Sequence, residues 1–100
     1  MSLDISFAQY QFNFTHNLTT MARHLYIYEA MWTRRLRPRI AGRLIEPVTI
    51  AIRLMEQHPE YYSRFNAPNQ WGTYEQFLPE LRKLLAACIE QHYSILEISG

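Results

Sequence analysis

The chain has 100 residues, 48% of them apolar, with seven Tyr, five Phe and two Trp, and a formal net charge of +1 at pH 7. That length makes one domain, residues 1–100, and the apolar content argues against disorder. A charge so near zero gives the whole molecule no strong pull toward nucleic acid or membrane.

Met1-Ser2-Leu3 reads as a cloning remnant and is given no weight. Residues 5–14 carry Tyr10, Phe12 and Phe14 alternating with Gln11 and Asn13, a period of two that predicts a half-buried strand. The alternation slips between Phe7 and Tyr10, which predicts a bulge or a late start. Leu18, Met21, Leu25, Tyr28 and Trp32 follow at spacings of three and four, one face of a helix. Thr15 or Asn17 caps its first turn, Arg34 and Arg35 suit its C-terminal end, and Pro38 stops it.

Leu44, Val48, Ala51 and Met55 mark a second helix, opened by Pro47 after a short turn at Leu44-Ile45 and closed by His58-Pro59. Residues 60–65 suit one more helical turn, and residues 66–72 are the clearest loop. Thr73 with Gln76 has the spacing of a capping box. Phe77, Leu81, Leu84 and Cys88 then form the stripe of a last helix, with a kink or restart expected at Pro79. Residues 94–98 are short and β-leaning. The expected fold is α+β and mostly helical: three to four helices packed on a two-stranded sheet made by the N- and C-terminal segments.

Charge is uneven, with seven Arg against three acids in residues 1–53 and three Lys/Arg against six acids in residues 54–100. Cys88 is the single cysteine, so no intrachain disulfide forms, which suits a reducing cytosol. No signal peptide or membrane-spanning run is visible, so the expected location is cytoplasmic and the sequons at Asn13 and Asn17 read as chance matches.

Three places could carry chemistry. Asn13, His16 and Asn17 lie where a strand turns into a helix, and histidine titrates near neutrality. The bland alternative is capping by Thr15 and Asn17 with a surface His16. Asn69, Trp71 and Tyr74 surround a loop whose tryptophan either anchors a ligand or folds down as a lid over the core. Arg34, Arg35, Arg37, Arg39 and Arg43 make a basic run that could grip phosphates, though a solvated face explains it as well. The four histidines lack metal-ligand spacing, no cofactor-binding or nucleophile motif is present, and Cys88 falls on an apolar stripe, as a core thiol would.

The motifs Asn-x-Thr-His-Asn-Leu (13–18), Ile-Tyr-Glu-Ala-x-Trp (27–32), Leu-Ile-Glu-Pro (44–47) and Asn-Ala-Pro-Asn-x-Trp-Gly-Thr-Tyr-Glu (66–75) resemble a small family of uncharacterised bacterial and phage proteins. The resemblance runs from about Tyr10 to Ile98. It implies a cytosolic accessory protein associated with phage or host defence, and no particular reaction. The chain departs from the family's pattern in two places. It is Arg-rich after Trp32, and Gln70 stands where a glycine is expected, which would suit a left-handed turn.

The expected function is a binding module in which Asn13, His16, Asn17, Asn69, Trp71 and Tyr74 hold a small polar or ring-bearing ligand, or a protein. The alternatives are an enzyme using His16 as general acid or base, a nucleic-acid docking module through Arg34–Arg43, and a purely structural role for all these motifs. A homodimer is compatible with so many aromatics in so small a chain.

Overall fold

The computed structural model describes residues 2–100; Met1 lies outside the described residues. Leu3, Ile5 and Phe7 alternate inward with Ser2, Asp4 and Ser6 along strand β1 (Ser2–Phe7). Strand β2 (Tyr10–Thr15) pairs antiparallel with it, from Ser2 opposite Thr15 to Phe7 opposite Tyr10. The slip between Phe7 and Tyr10 is therefore a hairpin, not a bulge. Its two-residue turn has Ala8 at φ 51°, a positive first central residue without the usual glycine. Ser2 and Leu3, discounted from sequence, are strand residues, and Leu3 is buried.

Strand β3 (Glu97–Ser99) pairs antiparallel with the other side of β1, so the sheet has three strands in the order β2-β1-β3 rather than two. One face is the core side, with Leu3, Ile5, Phe7, Phe12, Phe14 and Ile98 buried. Asp4, Gln11, Asn13 and Glu97 point the other way, as strand alternation requires.

Five α-helices, with two 3₁₀ turns at His16–Leu18 and Ala41–Leu44, form the second layer among the described residues. The single helix expected from Leu18 to Trp32 is two: α1 (Thr19–His24) and α2 (Tyr28–Trp32). The break is a Schellman cap. The Ile27 N–H bonds the Ala22 carbonyl at 3.1 Å, the Tyr26 N–H bonds Arg23 at 3.2 Å, and Tyr26 takes the left-handed position at φ 63°. Burial explains it. In one continuous helix, Ile27 would lie about 180° from Leu18. With the break, Leu18, Met21, Leu25, Ile27 and Met31 are all buried. Tyr28 and Trp32 are turned out of the centre of the core and stand partly exposed beside the end of the sheet.

Helix α3 (Ile45–Gln57) begins two residues before Pro47, which still lies in the first turn, where an N–H would have no intrahelical acceptor. Helix α4 (Pro59–Ser63) opens on Pro59. Helix α5 (Tyr74–Glu90) starts at the expected capping box, Thr73 accepting from the Gln76 N–H at 3.3 Å and Gln76 Oε1 from the Thr73 N–H at 3.2 Å. It runs unbroken through Pro79, with no restart. Pro79 is exposed, and only its own missing bond to Glu75 is lost. The core lies between the sheet and the α3–α5 pair, where Val48, Ala51, Met55, Leu81, Leu84 and Cys88 have no exposure beyond a trace.

Burial pushes the Cys88 thiol up from an ordinary 9.0 to about 12. The folded chain thus keeps a proton that the unfolded chain loses above about pH 9, and stability from this source falls as pH rises toward about 12. The hydroxyls of Tyr62 and Tyr74 are raised too, first by desolvation, and act in the same direction. The urea midpoint is expected to fall between about pH 8 and about pH 10.5, and to fall less steeply in Cys88→Ala. Equal slopes in the two proteins would show that the thiol is not the cause.

Candidate functional site

The Thr15–Leu18 turn carries the first candidate motif. Thr15 Oγ1 accepts from the Asn17 N–H at 3.3 Å and caps the 3₁₀ turn. His16, first in that turn, points back toward α2, and its Nδ1 accepts the Trp32 indole N–H at 3.0 Å. In the neutral ring the proton then sits on Nε2. Asn17 turns the other way, its Nδ2 donating to the Trp71 carbonyl at 2.9 Å. The two polar motifs therefore meet, but through a bond that braces one loop against the other.

The expected six-residue cluster does not converge on one pocket. Asn13 is on the outer face of the sheet, bonded to Ser2 Oγ at 2.8 Å and Asp4 Oδ1 at 2.7 Å, because strand alternation puts it opposite Phe12 and Phe14. Asn69 Oδ1 accepts from the Trp71 N–H at 3.0 Å and shapes the loop. The Tyr74 hydroxyl reaches the Met55 carbonyl at 2.7 Å, which ties α5 to α3. Trp71 is no lid, since the residue is 71% exposed and does not fold down on the core. The left-handed turn anticipated at residue 70 is present at φ 67°, and Gln70 adopts it without a glycine.

What His16 faces instead is a cleft of about 300 Å³ between the end of the sheet and the α1–α2 pair. Leu3, Ile98 and Ser99 contribute from the sheet, with Gly100 after them, and Thr19, Arg23, Tyr28, Trp32 and Arg34 from the helical side. The Arg23 guanidinium lies 4.2 Å from the centre of the Tyr28 ring, and Tyr28 stacks on Trp32 at 6.0 Å and 7°. Trp32 also leans on the buried Phe14 at 6.3 Å. A larger hollow of about 490 Å³ lies between α3 and α4, but residues 57–64 form it within one stretch of chain and it mixes Glu60 with Arg64. The smaller cleft gathers side chains from the first and third strands, both short helices and the loop after them.

No family profile, no curated protein and no solved structure matches this chain. The reading therefore rests on geometry.

The five-arginine run does not form one basic face. Arg35 pairs with Glu29 at 3.1 Å, and Arg37 folds back onto the carbonyls of Arg34 and Leu36, each at 2.8 Å. The backbone of Arg39 accepts from the Leu96 N–H at 2.9 Å, and its Nε is buried without a partner. Arg43 lies exposed in the second 3₁₀ turn, and Arg34 alone of the run lines the cleft. Among the described residues no group of His, Cys, Asp and Glu could hold a metal ion, and no helix is long and apolar enough to cross a membrane.

Thr19, Arg23, Tyr28 and Trp32 are the site residues that sequence reasoning missed. Spacing with Leu18, Met21 and Leu25 makes Tyr28 and Trp32 look like core positions of one long helix. Once the helix breaks at Tyr26, both are released to the cleft. The polar indole nitrogen at the end of an apolar stripe was the one available signal.

Proposed function

We propose that the chain is a binding module whose ligand site is the cleft at His16 and Trp32. The observation that carries this is the His16–Trp32 bond: it fixes the imidazole with its Nε2–H unpartnered at a cleft walled by β1, β3, α1, α2 and the loop at Arg34. The bond also favours binding over catalysis. A general base presents an unprotonated nitrogen to substrate, and here Trp32 occupies the unprotonated nitrogen. On the motif resemblance alone, we also propose a cytosolic setting as a phage- or defence-associated accessory protein.

The test follows the two indole N–H resonances in a ¹⁵N-labelled sample while carboxylates, phosphates, sugars, nucleosides and amines are titrated in turn. At least one class is expected to shift the Trp32 signal and spare Trp71, and His16→Ala to weaken that response about tenfold or more, as loss of a positioned donor does. If no class moves Trp32, the cleft is not a ligand site. If compounds move Trp71 alone, the exposed loop is the site instead.

A further inference from the structure

We propose that the cleft takes a small oxyanion, a phosphoryl or carboxylate group on a low-molecular-weight ligand; this rests on the cleft being the ligand site. Arg23 and Arg34 both line it, and no Asp or Glu does. The ion pairs formed among the described residues use Arg35, Arg82 and Lys83, so neither cleft arginine has a carboxylate partner. The other polar side-chain groups are the His16 Nε2–H and the hydroxyls of Thr19, Tyr28 and Ser99, and Gly100 completes the lining beside Ser99. A guanidinium has five N–H donors and no acceptor, and the hydroxyls can donate as well as accept, so the wall is rich in donors and its side chains carry two positive charges and no negative one. A cation would be repelled from it. A neutral ligand would draw nothing from the two charges. An oxyanion accepts from guanidiniums in the short, paired geometry that makes charge-assisted bonds strong.

Both arginines are held in place. Arg23 rests on the Tyr28 ring at 4.2 Å, which limits its rotamers before any ligand arrives. Arg34 has φ 60°, a left-handed backbone that a side chain adopts only when its surroundings impose it. They do. The Thr33 hydroxyl bonds the Glu29 carbonyl, Arg35 pairs with Glu29 at 3.1 Å, and Arg37 bonds the Arg34 carbonyl at 2.8 Å. Those contacts fix the loop on both sides of Arg34. The Tyr28 ring, with Arg23 on it and Trp32 stacked beside it, is a wall and not a free stacking platform. The cleft therefore selects by charge more than by ring shape, and its volume of about 300 Å³ is at the small end for ligand pockets.

The experiment titrates the intact chain, at low ionic strength, with inorganic phosphate and separately with succinate, reading the Trp32 indole resonance. At least one is expected to bind, with affinity that falls as sodium chloride is added. Arg23→Gln and Arg34→Gln are each expected to weaken it about tenfold or more, while Arg53→Gln, on exposed α3 surface, leaves it unchanged. Both cleft arginines are solvent-exposed, so the variants should fold, which circular dichroism checks. Phosphate alone binding assigns a phosphoryl ligand, succinate alone a carboxylate, and both the shared oxyanion chemistry. If neither binds while neutral compounds still shift Trp32, the anion inference is overturned and the cleft stands. Anion binding that ignores both arginine variants overturns it too. If nothing at all shifts Trp32, the cleft reading and the anion inference fall together.

Discussion

Phe14→Ala is expected to lower unfolding stability by about 3–5 kcal/mol, the usual result of emptying a phenylalanine site in a well-packed core. Phe14 is 2% exposed on β2, meets Phe77 of α5 edge-on at 5.7 Å, and supports Trp32 at 6.3 Å. It is the side chain through which the sheet grips the longest helix and also the back of the cleft. A domain has only about 5–15 kcal/mol to lose, so this one substitution removes a large share of the margin. Urea denaturation at 25 °C measures the loss. Phe14→Leu keeps most of the volume and should cost less than about 1.5 kcal/mol. A double-mutant cycle with Phe77→Leu should return a coupling of about 0.5–1.5 kcal/mol, as expected for an aromatic pair in contact. A Phe14→Ala loss below about 1 kcal/mol would show that β2 is not docked on α5 through this pair.

The elements legible in the sequence were those whose signal is local. The capping box of Thr73 and Gln76 needs four residues and nothing else, and the α5 stripe from Phe77 to Cys88 is buried as its spacing requires. The α+β class followed from such pieces. The hairpin was not legible, because Ala8-Gln9 lacks the Asn or Gly that announces a two-residue turn, and the partner strand began in residues set aside as irrelevant. The helix break at Tyr26 was hidden for a related reason. Tyrosine occupies a left-handed position that usually goes to glycine, and the cost of about 1–2 kcal/mol is offset by burying Ile27 and Met31.

The site was half legible for the same reason as the fold. His16 stood out as a titratable residue in a turn, and it does face the cleft. Its partners come from residues 19–34, whose positions depend on a helix break that periodicity does not reveal. Asn13, Asn69 and Tyr74 drew notice as polar or aromatic residues in a motif. Each proves to be committed to strand-edge, loop or helix-to-helix hydrogen bonds. Polar residues clustered in sequence mark places where backbone or side-chain groups need partners, and only some of those places are open to a ligand.

Gly72→Ala is expected to cost about 2–5 kcal/mol for strain and crowding together. Gly72 has φ +107°, a backbone position that side chains rarely adopt. An added Cβ would also lie 3.0 Å from Asn17 Cβ and 3.2 Å from Thr15 Cγ2. The Gly72 N–H donates to Gln76 Oε1 at 2.9 Å, and its carbonyl accepts from Ala67 at 3.1 Å, so the loop cannot simply move aside. The residues it presses are the neighbours of His16 on either side. The substitution should therefore weaken ligand binding as well as stability, through displacement of the 3₁₀ turn. Thr15→Ser relieves one of the two contacts: it removes Cγ2 and keeps the capping hydroxyl, so Gly72→Ala in that background should regain the Thr15 share of the crowding and retain the strain and the Asn17 contact. Urea midpoints of the four proteins measure both. A Gly72→Ala cost under about 0.5 kcal/mol would mean that the Asn66–Thr73 loop is not seated on the His16 turn, and that the bracing between the two motifs plays no part in holding the cleft.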